Sequence, residues 1–239
     1  MDNTKHKHIF TEDNNYLICE CGKKKLKLQQ ETSTTMTGMR SKNLKYTVRN
    51  NRERIFSPKE WKIFYDALKP FQRFTFKFLL ITGARINEAR NVKVEDIDLK
   101  NNRLILRVTK RLKEHVSNKS HTRTLRISTE LVKDIRARIK ELELKEEDYI
   151  KILSTPAANI CLKKTLNEVG IKDYQMFSIH NIRKTSENWA LTLGVDSMKL
   201  SKRYGHNLIT MYMHYSQSEA YSYEERDMIK DIFGDTFLE

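Results

Sequence analysis

Thr82-Gly83-Ala84-Arg85-Ile86-Asn87-Glu88 is the junction around which the rest of the sequence can be ordered. Upstream of it, Phe71, Phe74, Phe78 and Ile81 recur at helical spacing after Pro70, and the helix they predict stops near Gly83. Downstream, a short helix is predicted from Ile86 to Val92. An arginine set between two helices, straight after a very apolar run, is hard to explain as surface decoration. Further upstream, Phe56-Ser57-Pro58-Lys59-Glu60-Trp61 marks where order begins. Ser57 can accept from the N–H three residues on, and Glu60 can reach back to the N–H of Ser57. Pro58 stands at the first helical position, and Phe56 and Trp61 are spaced for a hydrophobic staple.

Past Val92 the period changes. Val94, Ile97 and Leu99, the turn Lys100-Asn101-Asn102, and Leu104, Leu106 and Val108 read as strands joined by a hairpin. A polar segment from Lys110 to His121 leads to a third strand, Thr122 to Ile127. From Thr129 the pattern is helical nearly to the end. Leu131, Ile135, Ile139 and Leu142 form one stripe, and Cys161, Leu162, Leu166 and Val169 another. A helix from Ser178 to Leu193 ends at Gly194, with short helices expected around 196–204 and 207–216. The fold class is mainly α with a small antiparallel β-sheet (α+β).

Residues 1–53 differ in character. They are polar and weakly periodic, with basic clusters at Lys23 to Lys27 and Arg40 to Arg49. We expect a basic N-terminal arm with a small folded knob around residues 6–24, and one domain from 54 to 239 with a C-terminal tail from about Ser218. The 239 residues carry 45 Lys and Arg against 31 Asp and Glu, a formal charge of +14. An excess of that size attracts polyanions, and nucleic acid is the commonest in a cell. The longest apolar run, Phe78-Leu79-Leu80-Ile81, is core-sized, far short of the ~20 residues of a bilayer span. With only Cys19, Cys21 and Cys161 and no secretory h-region at the start, a cytoplasmic protein without a disulfide framework is expected.

Several polar residues then stand out together. Besides Arg85 there are His180 and Arg183, three apart on one predicted helix and so on one face. His206 follows Gly205 at a predicted helix start, and Tyr215 lies nine positions later. Arginine forks bind phosphate bidentately, histidine moves protons near neutral pH, and tyrosine can act as a covalent nucleophile. No Asp/Glu cluster of metal-ligand spacing accompanies them. Taken singly, each has a plainer explanation: a surface ion pair for Arg85, a solvated helix face for His180 and Arg183, ring packing for the tyrosines. Their joint occurrence in this order is what argues against those explanations.

In that order the motifs resemble those of the tyrosine recombinases, the family of phage integrases and chromosome-dimer resolvases. Thr82 to Glu88 is similar to the family's first arginine box, His180-Asn181-Ile182-Arg183 to its HxxR motif, and Tyr204-Gly205-His206 with Tyr215 to its closing box. The resemblance runs from about residue 54 to the end and implies the catalytic set Arg85, Lys119, His180, Arg183, His206 and Tyr215. Lys119 opens Lys119-Ser120-His121-Thr122-Arg123, which resembles the K-[ST]-x-x-[KR] run of some integrases; Lys110 is its rival, as Tyr212 is the rival of Tyr215. The resemblance further implies a 3′-phosphotyrosyl intermediate, a Holliday junction, no cofactor, metal or ATP, and a homo-tetramer on double-stranded DNA, with no membrane partner. A topoisomerase-like relative or a non-catalytic DNA-binding regulator are the alternatives.

The sequence departs from the family in one respect. Family members carry a sizeable helical core-binding domain ahead of the catalytic region, and residues 1–53 do not read as one. His6, His8, Cys19 and Cys21 form a possible small zinc site, although the one-residue gap between the cysteines is shorter than usual. The alternating apolar and acidic residues after Ser218 suggest a tail that docks on a neighbouring subunit.

Overall fold

The computed structural model describes residues 10–13, 16–19, 24–26, 54–107, 122–205 and 221–237, the first three runs as backbone alone. The chain divides into two compact units, Met1–Arg49 and Asn50–Glu239. In the first, strands β1 (Phe10–Asp13), β2 (Tyr16–Cys19) and β3 (Lys24–Leu26) form an antiparallel meander. Its register sets Phe10 opposite Cys19 and Tyr16 opposite Leu26. The stretch 6–24 set apart in the sequence holds most of this sheet.

The first helix of the second unit forms at the first strong helix signal of the sequence. Helix α1 (Pro58–Ala67) is capped by Ser57, whose Oγ accepts from the Glu60 N–H at 3.2 Å while the Ser57 N–H donates to Glu60 Oε2 at 2.9 Å. The staple forms as well, with the Phe56 and Trp61 rings edge-on at 5.4 Å. Helix α2 (Pro70–Thr82) is buried almost all round over its second half and ends at Gly83, φ +59°. Phe74, Phe78 and Ile81 are buried as the spacing predicts, but Phe71 is largely exposed and is covered on one side by the Arg138 guanidinium, 4.5 Å from its ring centre. Helix α3 (Ile86–Arg90) follows.

The small sheet contains β4 (Ile97–Asp98), β5 (Arg103–Arg107) and β6 (Thr122–Arg126), all antiparallel in that order. Val94, expected in a strand, lies in a 3₁₀ turn over Val94–Asp96. The reason is local: Asp96 takes the Lys93 N–H through its carboxylate, and the Val94 N–H is drawn to the Asp148 carbonyl. On β5, Leu104 and Leu106 face the core between exposed neighbours.

Four helices follow: α4 (Thr129–Glu141), α5 (Thr155–Glu168), α6 (Ile179–Thr192) and α7 (Ser197–Tyr204). Cys161 packs half-buried against the core, and burial pushes its thiol up. Helix α8 (Tyr223–Phe233) runs into a 3₁₀ turn over Gly234–Phe237. Part of its apolar face is buried within its own chain. Ile229 and Phe233 are inaccessible, and the Phe233 ring meets Trp189 edge-on at 6.3 Å. Ile229 and Phe233 join the core that α6 also lines.

Candidate active site

Helix α2 delivers the first arginine. Because Gly83 adopts the left-handed conformation, the chain turns sharply and Arg85 becomes the N-cap of α3. The turn also needs glycine for space: a Cβ at Gly83 would lie 2.0 Å from the Tyr204 ring. The Arg85 side chain is 41% exposed, and its Nη1 donates to Glu88 Oε1 at 2.8 Å. Glu88 Oε2 accepts the Arg85 backbone N–H at 3.0 Å, a back-bond from the third helical residue to the N-cap at the start of α3.

Helix α6 delivers the second. His180 stands in its first turn, exposed, whereas Arg183 one turn on is only 2% exposed. Arg183 Nη1 donates to the Gly83 carbonyl at 2.5 Å, and Nη2 donates to the Tyr204 carbonyl. Its guanidinium also lies 5.3 Å from the centre of the Tyr204 ring. A single buried cation thus ties the end of α2, the second turn of α6 and the end of α7 to one point. The first arginine box, the HxxR arginine and Tyr204, which opens the third motif, meet there. Tyr204 is itself locked, its hydroxyl 2.7 Å from Ser186 Oγ, which donates to the Leu80 carbonyl at 2.5 Å.

Two residues that sequence reasoning quoted without giving them a role complete the cluster. Glu88 is 3% exposed and also binds Arg123, whose Nη2 stands 2.6 Å from its Oε2. Arg123 Nη1 donates to the Arg203 carbonyl at 3.1 Å. The signals for both were present. Glu88 is three residues beyond an N-cap, and Arg123 shares the inward face of β6 with Leu125, two residues away. Arg203 acts as a brace, donating from Nη1 to the Arg126 carbonyl at 2.9 Å and from Nη2 to the Ile81 carbonyl at 2.7 Å.

The electrostatics follow from this crowding of positive charge. Burial lowers the Arg183 pKa, and the cations of Arg85 and Arg123 lower it further, to about 10. It therefore remains charged at neutral pH. Burial pushes the Glu88 carboxyl up, but the adjacent Arg123 and Arg85 outweigh it and hold the group below its usual range. Glu187, one turn beyond Arg183, behaves oppositely: burial raises its carboxyl despite the nearby cations. The Nε–H groups of Arg123 and Arg183 are buried and have no hydrogen-bond acceptor among the described residues. Such a cluster of cations is suited to an oxyanion such as the singly charged phosphodiester, and more so to the extra negative charge of its transition state.

Lys119, Lys110, His206, Tyr212 and Tyr215 lie outside the described residues, as do His6, His8 and Cys21; Cys19 closes β2. Among the described residues no group of His, Cys, Asp and Glu could hold a metal ion, and no helix is long and apolar enough to cross a membrane.

The phage integrase family model matches residues 54–221, which contain the whole of this cluster. The chain belongs to the phage integrase family. No curated relative matches the sequence. Among solved structures, XerA recombinase shares the fold with a TM-score of 0.57 at 19% identity, over 74% of this chain and 64% of that one. XerH site-specific recombinase, in a post-cleavage complex with palindromic difH substrate, gives 0.57 at 16% identity over 70% and 51%. The Tn1549 transposon integrase in complex with transposon right-end DNA gives 0.56 at 15% identity over 75% and 65%. The chain therefore matches between about half and two thirds of the length of these proteins. Their likeness is one of fold: a mostly helical tyrosine recombinase domain with a small antiparallel sheet.

Proposed function

We propose that the chain is a site-specific recombinase that cuts and rejoins double-stranded DNA through a tyrosine. The observation that carries this reading is the convergence on Arg183. One guanidinium binds the carbonyls of Gly83 and Tyr204, so Arg85 of the first box and the turn leading to His206 are brought to the same place. An enzyme that stabilises a pentacoordinate phosphorus needs fixed cations on the non-bridging oxygens, and Arg85 and Arg183 are assigned that task. Arg85 approaches from the exposed side and Arg183 from within.

Tyr215 attacks phosphorus in line, forming a 3′-phosphotyrosyl bond and releasing a 5′-hydroxyl. Lys119 protonates the leaving 5′-oxygen, and His180 and His206 hydrogen-bond the phosphate and assist proton transfer. The phosphodiester energy is conserved in the covalent bond, so neither ATP nor a metal is consumed. The 5′-hydroxyl of a partner strand then attacks, exchanging strands through a Holliday junction. Exchange between two duplexes calls for a tetramer on DNA, acting in the cytoplasm where the DNA is. The basic surplus of the chain supplies salt-sensitive affinity for phosphates.

The test is covalent trapping. The protein is incubated with nicked suicide duplexes of candidate attachment sequence and run on a denaturing gel, alongside Tyr215→Phe and Tyr212→Phe. An adduct lost only in Tyr215→Phe is the expected result. DNA binding without an adduct on any duplex, even with longer flanking DNA, would overturn it in favour of a binding protein.

A further inference from the structure

Arg123 has no part in the reaction as described, yet it touches both halves of the site. We propose that Arg123 is a positioning residue that sets the Arg85 guanidinium through Glu88 and, with the same fork, holds the turn that leads into His206. The inference rests on the recombinase reading of the site.

The case begins with the strand. Arg123 is the second residue of β6 and pairs across the ladder with Leu106, which is fully buried. That face of a strand ordinarily takes an apolar side chain. A guanidinium there, 9% exposed, must have its donors satisfied or it is costly. Nη2 finds Glu88 at 2.6 Å and Nη1 finds the Arg203 carbonyl at 3.1 Å. The second contact depends on a further detail: Gly205 has φ +62°, and a Cβ there would come 2.9 Å from Arg123 Nη1. Only glycine suits both the turn and the approach of the guanidinium.

Glu88 passes the constraint on. Its Oε2 is held by Arg123 and the Arg85 backbone N–H, which leaves Oε1 facing the Arg85 side chain. With Arg123 removed, the carboxylate loses the anchor that fixes its plane, and Arg85 can swing with it. A surface Arg–Glu pair alone would not define a direction, because Arg85 is well exposed. Arg123 does not reach the phosphate in this scheme, since Glu88 lies between it and Arg85. In the sequence it lies four residues after Lys119, so the strand that carries Arg123 also continues the segment bearing the proposed general acid.

Lysine cannot replace the fork. An ammonium presents one charge centre and cannot span Glu88 and the Arg203 carbonyl together. Arg123→Lys therefore preserves charge while removing the geometry, and Arg123→Gln removes both. With the full chain, two quantities are measured in each variant and in Glu88→Gln. One is the single-turnover rate of adduct formation on the nicked duplex across DNA concentrations. The other is the ¹⁵N side-chain NMR signal of Arg85, assigned with Arg85→Lys.

For Arg123→Lys we expect a half-saturating DNA concentration within about twofold of wild type and a saturating rate lower by about tenfold or more. The Arg85 Nη signals, distinct in wild type, should merge as the group rotates freely. Combining Arg123→Lys with Glu88→Gln should slow cleavage no more than either alone. A wild-type rate and unchanged Arg85 signals in Arg123→Lys would overturn the proposal, as would a rate loss matched by equal losses in DNA affinity and melting temperature. If Arg123→Gln fails to fold, the lysine variant decides. If wild type forms no adduct, the recombinase reading fails, and the Arg85 signals alone decide whether Arg123 orients that group.

Discussion

Arg85 and Arg183 belong to one cluster and are assigned one phosphate, but the fold treats them as opposites. Arg85 is on a three-residue bend between helices, 41% exposed, and its side chain pairs with a carboxylate. Arg183 is in the second turn of a long helix, 2% exposed, with both terminal nitrogens on backbone carbonyls. The first can adjust to an incoming phosphate. The second holds the frame together, and burial has pulled its pKa down to about 10 because the charge has so little solvent around it. The difference teaches that two residues with the same proposed chemistry can divide the work of reach and rigidity, and that loss of one should look like an active-site defect while loss of the other should look like unfolding.

That contrast is open to breaking by mutation, judged by chemical denaturation at neutral pH. Arg183→Ala should be the most damaging, because two buried carbonyls lose charged donors worth roughly 1.5–3 kcal/mol each. A loss of about 3–5 kcal/mol is expected, and a loss under about 1 kcal/mol would break the claim that Arg183 is a frame. Gly83→Ala comes next, at about 2–4 kcal/mol, since the backbone is left-handed and the new methyl meets the Tyr204 ring. Its far-UV circular dichroism should stay mostly helical while near-UV tyrosine signals change.

Glu88→Gln should cost about 1–3 kcal/mol at neutral pH, because Arg123 keeps its burial and loses its counter-charge. This variant also sharpens the picture through pH. The native carboxyl sits below its ordinary value of 4.5, so the stability it supplies is fully present above that pH and is lost as pH falls through the native value. Wild type should therefore lose stability faster than Glu88→Gln on acidification below pH 4.5. Parallel acid limbs for the two would remove the ion pair from the account. Arg85→Gln should be the mildest, within about 1 kcal/mol, as befits a half-exposed pair. Adduct formation, in contrast, should fall below detection in it while binding to DNA persists.

Much of the fold could be read from the sequence because its signals are local. The box at Ser57 and Glu60, the stop at Gly83 and the end of α6 before Gly194 all depend on residues within four positions of one another. Where a signal needed a distant partner, reading failed. Val94 looked like a strand residue until the Asp148 carbonyl, far along the chain, claimed its N–H. Arg85 and Arg183 stood out by type and order, but nothing in their spacing could reveal that Arg183 would bond to Gly83, a hundred residues away. Glu88 and Arg123 stand in the quoted motifs without a role there, because their value lies in each other, across 35 positions. The α8 face was visible as amphipathic, though the sequence could not say that Trp189 would cover it.

The way the chain enters its second unit has a mechanical side. The Arg54 carbonyl accepts from Asn181 Nδ2 at 2.6 Å, the Phe56 N–H donates to Thr185 Oγ1 at 3.0 Å, and the Phe56 carbonyl accepts from Trp189 Nε1 at 3.1 Å. Asn181, Thr185 and Trp189 are spaced one turn apart, so residues 54–56 are moored along a single line on α6, the helix that also carries His180 and Arg183. Tension arriving from residues before 54 would be borne by three hydrogen bonds on that helix, loaded along its axis in the manner of a rope cleated at successive points. Such a mooring resists shear better than peeling, because all three bonds share the load at once. A pull directed away from the helix would open them one by one, starting at Asn181, the bond nearest His180.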